Sequence, residues 1–242
     1  MVFLILRNIS FENDLPFEND WVSSIQIATP HLYARVVQSF LTMENGEEPL
    51  EHFMFLENDK QLDSGKLLIV VSDPFRIDFA SKKIATALYG EINKLILSDP
   101  LRHMAWEKQV IALSELIRET SREIPIEIDT QNEITMQDAC KALGVRIDCP
   151  PDTSPQVRVY KLMDIIAEWM PKKVLVLCNL DSYFSETDWQ EIIKYACYTK
   201  VKLLIVMHSA EIALHEQEIR VNSQSKCHSG KGVAVTMKNG CS

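Results

Sequence analysis

Glycine is scarce in this chain, with seven in 242 residues, and the positions of these glycines exclude the usual phosphate-binding loops. Neither G-x-x-x-x-G-K-[ST] nor G-x-G-x-x-G occurs. Both motifs depend on glycines that let backbone amides approach a phosphate. G-x-S-x-G and H-E-x-x-H are absent too, so no motif supports hydrolysis by a serine nucleophile or a zinc ion. We therefore expect neither ATP nor NAD to bind through a glycine-rich loop.

The cysteines and the short apolar runs exclude two further classes of protein: those held together by disulfides and those that span a membrane. None of the six cysteines forms a C-x-x-C pair, and Cys178 and Cys197 lie inside apolar segments. This pattern is typical of free thiols in a cytosolic protein. No apolar run approaches the ~18 residues that span a bilayer, and the apolar start meets Arg7 without a basic n-region. The sequence predicts a cytoplasmic protein with no membrane partner.

Acidic residues outnumber basic ones, 34 to 25, which gives a net charge of −9. Such an excess argues against a general nucleic-acid coat, because neutralising phosphates takes Lys and Arg. The acidity is local, however. Residues 1–79 hold 13 acids and 5 bases (net −8), residues 80–149 hold 11 and 9 (net −2), and residues 150–242 hold 10 and 11 (net +1). The last two thirds of the chain are therefore nearly neutral.

Continuous apolar runs at residues 66–72, 173–178 and 202–207 predict strands that are covered on both faces. A helix is predicted at residues 186–198, after the capping box Ser185-Glu-Thr-Asp188. Strand, helix and strand in this order predict a parallel βαβ unit with a right-handed crossover. Weaker strands are predicted near residues 2–6, 25–28 and 53–56.

The middle of the chain is helical. Long helices are predicted at residues 81–97 and 100–120, the second opened by Asp99 as N-cap and Pro100. Its apolar residues occupy more than one face, which is typical of a helix that packs against several neighbours or another subunit. Shorter helices are predicted at residues 136–143, after Thr135 and before Gly144, and from Pro155 to about residue 170. The last 20 residues, rich in Ser and Gly, are expected to be loosely ordered.

Polar residues at two strand ends leave two interpretations open. Asp73 and Asp181 follow predicted strands, and ligands of open α/β sheets bind at such carboxyl ends. They could hold Mg²⁺ in a nucleotide- or small-molecule-handling enzyme, or they could form turns. The missing phosphate loop favours turns. His208, at the third strand end, is likewise more typical of a capped, solvated residue than of a catalytic base.

An acidic segment, residues 127–133, precedes the short helix that contains Asp138. Closely spaced carboxylates and carbonyls suit Ca²⁺, which takes six to eight oxygen ligands. The segment is not an EF-hand, because Asn132 stands where that loop needs glycine and Asp138 where it needs a bidentate Glu. A general Ca²⁺ site and a solvated acidic turn both remain open.

Basic residues cluster before and within the long helices, at Arg76, Lys82, Lys83, Lys94, Arg102, Lys108, Arg118 and Arg122. Lys82 and Lys83 fall in the first turn of a predicted helix, where the helix dipole disfavours cations. A bound anion would compensate for this. The alternative, which composition alone favours, is a set of ordinary surface lysines.

Four segments carry a resemblance to a known family: residues 67–78, 132–147, 171–179 and 201–207. Together they resemble the CRISPR-associated spacer-acquisition proteins of subtype II-A systems, the ring-forming Csn family that binds double-stranded DNA ends. Their order and spacing fit the family from about residue 28 to residue 212. After Arg220 the chain departs from it, because the family usually ends in an acidic, apolar strand-like segment.

The resemblance implies an α/β head with a mostly parallel sheet, P-loop-ATPase-like in topology but without a phosphate loop. The head would comprise residues 1–79 and 151–242, with an inserted α-helical leg at residues 80–150. It also implies a non-catalytic homotetrameric ring around double-stranded DNA, with Arg76, Lys82, Lys83, Lys94, Arg102 and Lys108 as candidate DNA-binding residues.

The same resemblance implies Ca²⁺ near the junction of head and leg. The family's metal loop falls on Glu127, Asp129, Glu133 and Asp138, with one extra residue in the loop here. Expected partners are the CRISPR integrase complex and the RNA-guided nuclease of the same system. Two other classes stay open: a Mg²⁺-dependent nucleotide- or small-molecule-handling α/β enzyme, and a helical interaction module on an inert sheet.

Overall fold

A computed structural model describes residues 4–8, 15–17, 21–129, 134–208 and 234–236. The strands in these ranges are Leu4–Asn8 (β1), Leu15–Pro16 (β2), Val22–Ile27 (β3), Phe53–Glu57 (β4), Lys60–Gln61 (β5), Leu68–Val71 (β6), Val174–Cys178 (β7), Lys202–His208 (β8) and Ala234–Thr236 (β9). The α-helices are Pro30–Glu44 (α1), Ser64–Leu67 (α2), Lys82–Leu97 (α3), Pro100–Ser121 (α4), Met136–Ala142 (α5), Pro155–Trp169 (α6) and Glu186–Thr199 (α7). Pro74–Arg76 forms a short 3-10 helix.

The contacts divide the chain into two compact units. One comprises Met1–Ile77 and Pro151–Ser242, and the other comprises Asp78–Pro150. We refer to them as the α/β unit and the helical unit.

A five-stranded parallel sheet forms the centre of the α/β unit, in the order β6-β7-β8-β3-β9. Every residue of β7 is buried, from Val174 to Cys178, as the unbroken apolar run predicts. The predicted βαβ unit is confirmed, because β7 and β8 are parallel and α7 connects them. Helix α7 begins with the predicted capping box, in which the Ser185 hydroxyl accepts from the Asp188 amide.

A second sheet, antiparallel and four-stranded, was not predicted; its order is β2-β1-β4-β5. The weak strands near residues 2–6 and 53–56 pair with each other here, so that Leu6 lies opposite Phe55. Burial alternates along β1, with Leu4 and Leu6 buried and Arg7 exposed. Alternation of this kind is typical of an antiparallel sheet covered on one face.

Helix α1 was also missed by the sequence analysis. It begins at Pro30, and it buries Val36, Phe40 and Met43. The Phe40 ring stacks on Phe53 of the antiparallel sheet, with centroids 4.8 Å apart. Buried side chains of both sheets and of α1 belong to one hydrophobic cluster, so α1 contributes to the main core of this unit.

Two further boundaries differ from the expectations. The strand expected at residues 66–72 begins only at Leu68, because Asp63 caps the short helix α2 by accepting from the Lys66 amide. In the tail expected to be loosely ordered, residues 234–236 pair in parallel with Ser24–Gln26 of β3. Residues 209–233 and 237–242 lie outside the described ranges.

The helical unit contains α3, α4 and α5. Asp99 caps α4 by accepting from the amides of Leu101 and Arg102, at 2.9 and 3.4 Å. Thr135 caps α5 in a reciprocal capping box with Asp138. Gly144 follows α5 with a φ of +64°, the left-handed conformation expected of a helix-terminating glycine.

Candidate functional site

The helical unit carries most of the residues assigned from sequence to DNA and metal. Within it, α3 contacts both α4 and α5. The Tyr89 hydroxyl of α3 donates to the Val145 carbonyl at 3.2 Å, which ties α3 to the segment that follows α5. These contacts fix α3 as the central helix of the unit.

Apolar burial in the helical unit is sparse. Among its described residues, the buried apolar side chains are Phe79, Ile84, Met136 and Cys140. Helix α4 has 22 residues and buries none of them, although Leu101 is 78% exposed and Leu116 is 61% exposed. A helix with solvent-facing apolar side chains on several sides is typical of one covered by another surface. Helix α4 is therefore a candidate contact surface for a second chain.

Three of the candidate DNA-binding lysines lie on α3. Lys83 and Lys94 are eleven residues apart, about three helical turns, so they share one face. Lys82 is exposed in the first turn, where the Ser81 side chain makes no capping hydrogen bond. A phosphate near this first turn would contact lysine side chains and the positive end of the helix dipole.

Three of the six candidate cations, Lys94 among them, form ion pairs with the acid three residues earlier. They are Arg76 with Asp73 at 3.5 Å, Lys94 with Glu91 at 3.3 Å and Arg102 with Asp99 at 3.2 Å. All three cations are exposed, so these pairs contribute little to stability and can exchange for phosphate. Lys108 is exposed on α4 and has no ion pair within the described ranges. Arg76 belongs to the α/β unit, and the other five candidates belong to the helical unit.

The candidate metal ligands lie between α4 and α5, and at the start of α5. Glu127 and Asp129 are exposed on an irregular segment, and Glu133 lies outside the described residues. Asp138 accepts from the Thr135 hydroxyl at 2.5 Å and from the Thr135 amide at 3.3 Å, both through Oδ2. These hydrogen bonds, the one from the hydroxyl first, lower the pKa of Asp138.

The chemistry of these donors fits a hard cation, because Ca²⁺ prefers carboxylate oxygens to nitrogen or sulfur. The three described donors, Glu127, Asp129 and Asp138, do not form a closed site. Within the described ranges, no three His, Cys, Asp or Glu side chains approach closely enough to hold a metal ion. Asp138 has a capping role that the ligand assignment did not include.

The polar residues at the ends of the parallel strands have separate roles. Asp73 accepts from the Phe75 amide at 2.9 Å, which supports the turn-forming interpretation. Asp181 instead accepts from the backbone N–H of His208, and partial desolvation raises its pKa. The Nε2 atom of His208 is buried and has no hydrogen-bond partner in the described part of the chain. This differs from the solvated His208 that was expected.

Tyr33 was missed as a residue of this strand-end region. Its hydroxyl accepts a 2.7 Å hydrogen bond from the Asn179 amide, and its ring lies 5.5 Å from the His208 ring. Burial raises the pKa of Tyr33 to about 12. Tyr33 lies on helix α1, which was not predicted. A prediction of that helix would have been needed to place Tyr33 near the strand ends.

Comparison with known proteins gives a match to one family. Residues 45–219 match the family model described as CRISPR-associated protein (Cas_Csn2). The chain is 24% identical over 191 residues to a CRISPR-associated protein Csn2 of Enterococcus faecalis, covering 79% of this chain and 84% of that protein. It is 24% identical over 148 residues to a CRISPR-associated protein Csn2 of Streptococcus agalactiae, covering 61% and 65%.

A solved structure shares the fold. The crystal structure of Stu0660 of Streptococcus thermophilus superposes with a TM-score of 0.56 at 12% identity, covering 86% of this chain and 68% of that one. Within the described residues, no helix is long and apolar enough to cross a membrane.

Proposed function

This chain belongs to the Cas_Csn2 family of CRISPR-associated proteins, and on that basis we propose that it binds the ends of double-stranded DNA during spacer acquisition. The binding is sequence-independent, and the protein itself catalyses no reaction. It acts in the cytoplasm, beside the integrase complex and the RNA-guided nuclease of the same CRISPR system. The working form is a homotetrameric ring that encloses the duplex.

The observation that carries the oligomeric part of the proposal is the exposed apolar surface of α4. The helical unit buries few apolar side chains, while Leu101, Met104, Ile111 and Leu116 are each more than half exposed. Apolar area of this extent is costly in water, at about 25 cal/mol per Å². Contact with other copies of the chain would remove it from solvent. A stable isolated monomer is less compatible with this surface.

The DNA-binding part of the proposal is supported by the cations of the helical unit. Lys83 and Lys94 share a face of α3, and Lys82, Arg102 and Lys108 are exposed on α3 and α4. Contacts to phosphates give affinity without reading bases. The net charge of −9 does not oppose this, because most of the acidic excess falls in residues 1–79.

We propose Ca²⁺ as the metal that organises the segment between α4 and α5. Glu127, Asp129, Glu133 and Asp138 would hold it, and the ion would offset their mutual repulsion. Within the described residues, the hydrogen bonds of Asp138 to Thr135 use Oδ2, so Oδ1 can bind a cation while Oδ2 remains in the capping box. Bound calcium would bring these carboxylates together and so stabilise the assembly.

A relation of the parallel sheet to the sheets of P-loop ATPases is also part of the proposal. It is supported by the strand order, because β3, the first parallel strand of the chain, lies between β8 and β9. The turn after β3 has no glycines and leads directly to Pro30, which has no N–H to offer a phosphate. The Mg²⁺-dependent enzyme is the weaker alternative, because Asp73 already caps a turn.

The proposal is tested by native mass spectrometry combined with binding to a short linear duplex. With Ca²⁺ present we expect a tetramer that binds duplexes of unrelated sequence equally well, and chelation is expected to loosen the tetramer. An assembly unchanged by chelation would refute the metal claim. ATP turnover that is abolished by Asp73→Ala would instead support the enzyme alternative.

A further inference from the structure

A pocket of about 400 Å³ opens at the carboxyl ends of β3, β7 and β8 in the α/β unit. It is lined by Pro30, Tyr33, Asn179, Asp181, Ser182 and His208. In α/β folds, a ligand usually binds at the carboxyl ends of the parallel strands, where the connections after two neighbouring strands run to opposite sides of the sheet. The volume lies in the range of small-molecule sites. The position and size of this pocket suit a compact ligand.

The charge of the pocket lining is negative. Asp181 is the only carboxylate among the described lining residues, and they include no Lys or Arg. The Nε2 atom of His208 is buried without a hydrogen-bond partner in the described part of the chain. Helix α1 faces the pocket with Pro30, whose ring nitrogen carries no hydrogen to donate to an anion. A cationic ligand that donates hydrogen bonds can therefore pair with the Asp181 carboxylate.

Two aromatic rings complete the wall. The rings of Tyr33 and His208 lie 5.5 Å apart and are inclined at 60°. The Tyr33 hydroxyl already accepts from the Asn179 amide, which fixes the position of the ring. The face of such a ring attracts a cation, and a planar cation can also stack on it. The Asp181 carboxylate stands in the same pocket, partly desolvated, and the described lining residues include no Lys or Arg to pair with it.

We propose that this pocket binds a guanidinium group, with Asp181 as its carboxylate partner, His208 Nε2 as an acceptor and the Tyr33 ring as a stacking face. A guanidinium is planar, always charged and a hydrogen-bond donor only, and it pairs with a carboxylate through two hydrogen bonds. An ammonium group would pair with Asp181 but would not stack in the same way. The group can come from a small molecule or from an arginine side chain of another polypeptide. This inference does not depend on DNA binding.

The test is isothermal titration calorimetry of the full chain with three amino-acid amides: argininamide, lysinamide and citrullinamide. Citrullinamide has the shape of argininamide but a neutral urea group. We expect argininamide to bind at least about tenfold more tightly than citrullinamide, since a hydrogen-bonded charge is worth one to two orders of magnitude. Equal affinities for all three would overturn the proposal, and so would the absence of any argininamide binding.

Substitutions test whether argininamide binds in this pocket. Asp181→Asn is expected to weaken argininamide binding by about tenfold or more. The matched control is Asp73→Asn, which changes a carboxylate that follows the neighbouring strand but does not line the pocket, and it should leave the affinity unchanged. If Asp181→Asn fails to fold, as judged by circular dichroism, His208→Phe replaces it, with a severalfold loss expected. Full affinity in a folded pocket variant would overturn the assignment.

Two ligands distinguish the two possible sources of the guanidinium group. Agmatine represents a free small molecule, and an acetylated, amidated Gly-Arg-Gly peptide represents an arginine side chain. If the peptide binds at least as tightly as agmatine, the source is a polypeptide. If only agmatine binds, the source is a small molecule. Failure of both to bind would overturn the proposal, whether or not the protein binds DNA.

Discussion

The backbone amide of Asn179 donates a 2.7 Å hydrogen bond to the hydroxyl of Tyr33, across 146 residues of sequence. Asn179 follows β7 with a φ of +60°, and Tyr33 lies in the first turns of α1. The bond joins the turn after β7 to helix α1, which follows β3. It thereby positions both residues at the pocket that also contains Asp181.

Tyr33→Phe should destabilise the chain by about 1 kcal/mol, because one intramolecular hydrogen bond is lost while the ring remains in place. The change is measured as the shift in the urea unfolding midpoint followed by circular dichroism. Tyr183→Phe is the matched control, since the described residues provide no partner for the Tyr183 hydroxyl and its side chain is 37% exposed. Equal midpoints for the two variants would contradict a structural role for the Tyr33 hydroxyl.

The capping box of α7 predicts a pH-dependent contribution of Asp188. Its carboxylate accepts from the Ser185 hydroxyl at 2.6 Å and from the Ser185 amide at 2.8 Å, and these bonds lower the pKa of Asp188. A lowered folded-state pKa stabilises the fold above the unfolded value of about 3.9, and this contribution is lost as the pH falls through the lowered pKa.

Asp188→Asn should therefore lower the free energy of unfolding at pH 7, and the difference from the unchanged chain should shrink in acid. Urea unfolding at pH 7 and at successively lower pH measures it. Thr187→Ala, on the neighbouring exposed residue of the same helix, should show a difference that is independent of pH. A difference for Asp188→Asn that is constant with pH would contradict the capping assignment.

Strands β7 and β8 were predictable because their side chains are buried on both faces, which leaves an unbroken apolar run in the sequence. Helix α1 is predictable as well, since Leu32, Val36, Phe40 and Met43 recur at helical spacing after Thr29. The pocket was not predictable. It depends on the strand order that brings β3 beside β8, and local pattern carries no information about that order.

For the candidate DNA-binding and metal-binding residues too, some features were predictable from the sequence and others were not. Helix boundaries and the caps Asp99 and Thr135 follow from local chemistry, and the structure has them as expected. The ion pairs of Arg76, Lys94 and Arg102 also follow from spacing, since each acid precedes its base by three residues. In the proposed ring, which of the cations would face DNA depends on how copies of the chain assemble, and a single sequence does not encode this in any local pattern.

Replacing apolar residues of α4 should weaken the assembly without unfolding the chain. We expect the double change Leu101→Gln and Leu116→Gln to shift micromolar protein toward smaller species, because both side chains are more than 60% exposed and available to another copy. Light scattering after size exclusion gives the mass, and circular dichroism checks helicity. Leu50→Gln, on a 46% exposed residue of the α/β unit, is the control. An unchanged mass for the double variant would exclude α4 from the interface.

Lys83 and Lys94 should each contribute a phosphate contact. Each contact adds about 0.9 to the slope of log affinity against log salt, so Lys83→Gln with Lys94→Gln should reduce this slope by about 2. Fluorescence anisotropy of a labelled linear duplex over a series of salt concentrations measures the slope. Lys172→Gln with Lys194→Gln, at two exposed lysines of the α/β unit, should leave it unchanged. Equal slopes for the two double variants would remove the α3 face from the DNA surface.

The central claim is that a closed ring loads onto DNA through free ends. Gel-shift titration of one duplex sequence tests it most directly, in linear and in covalently closed circular form, with and without Ca²⁺. We expect the linear form to bind in the presence of Ca²⁺, the circular form to bind far more weakly, and chelation to reduce binding of the linear form. Equal binding of linear and closed circular DNA would contradict the ring.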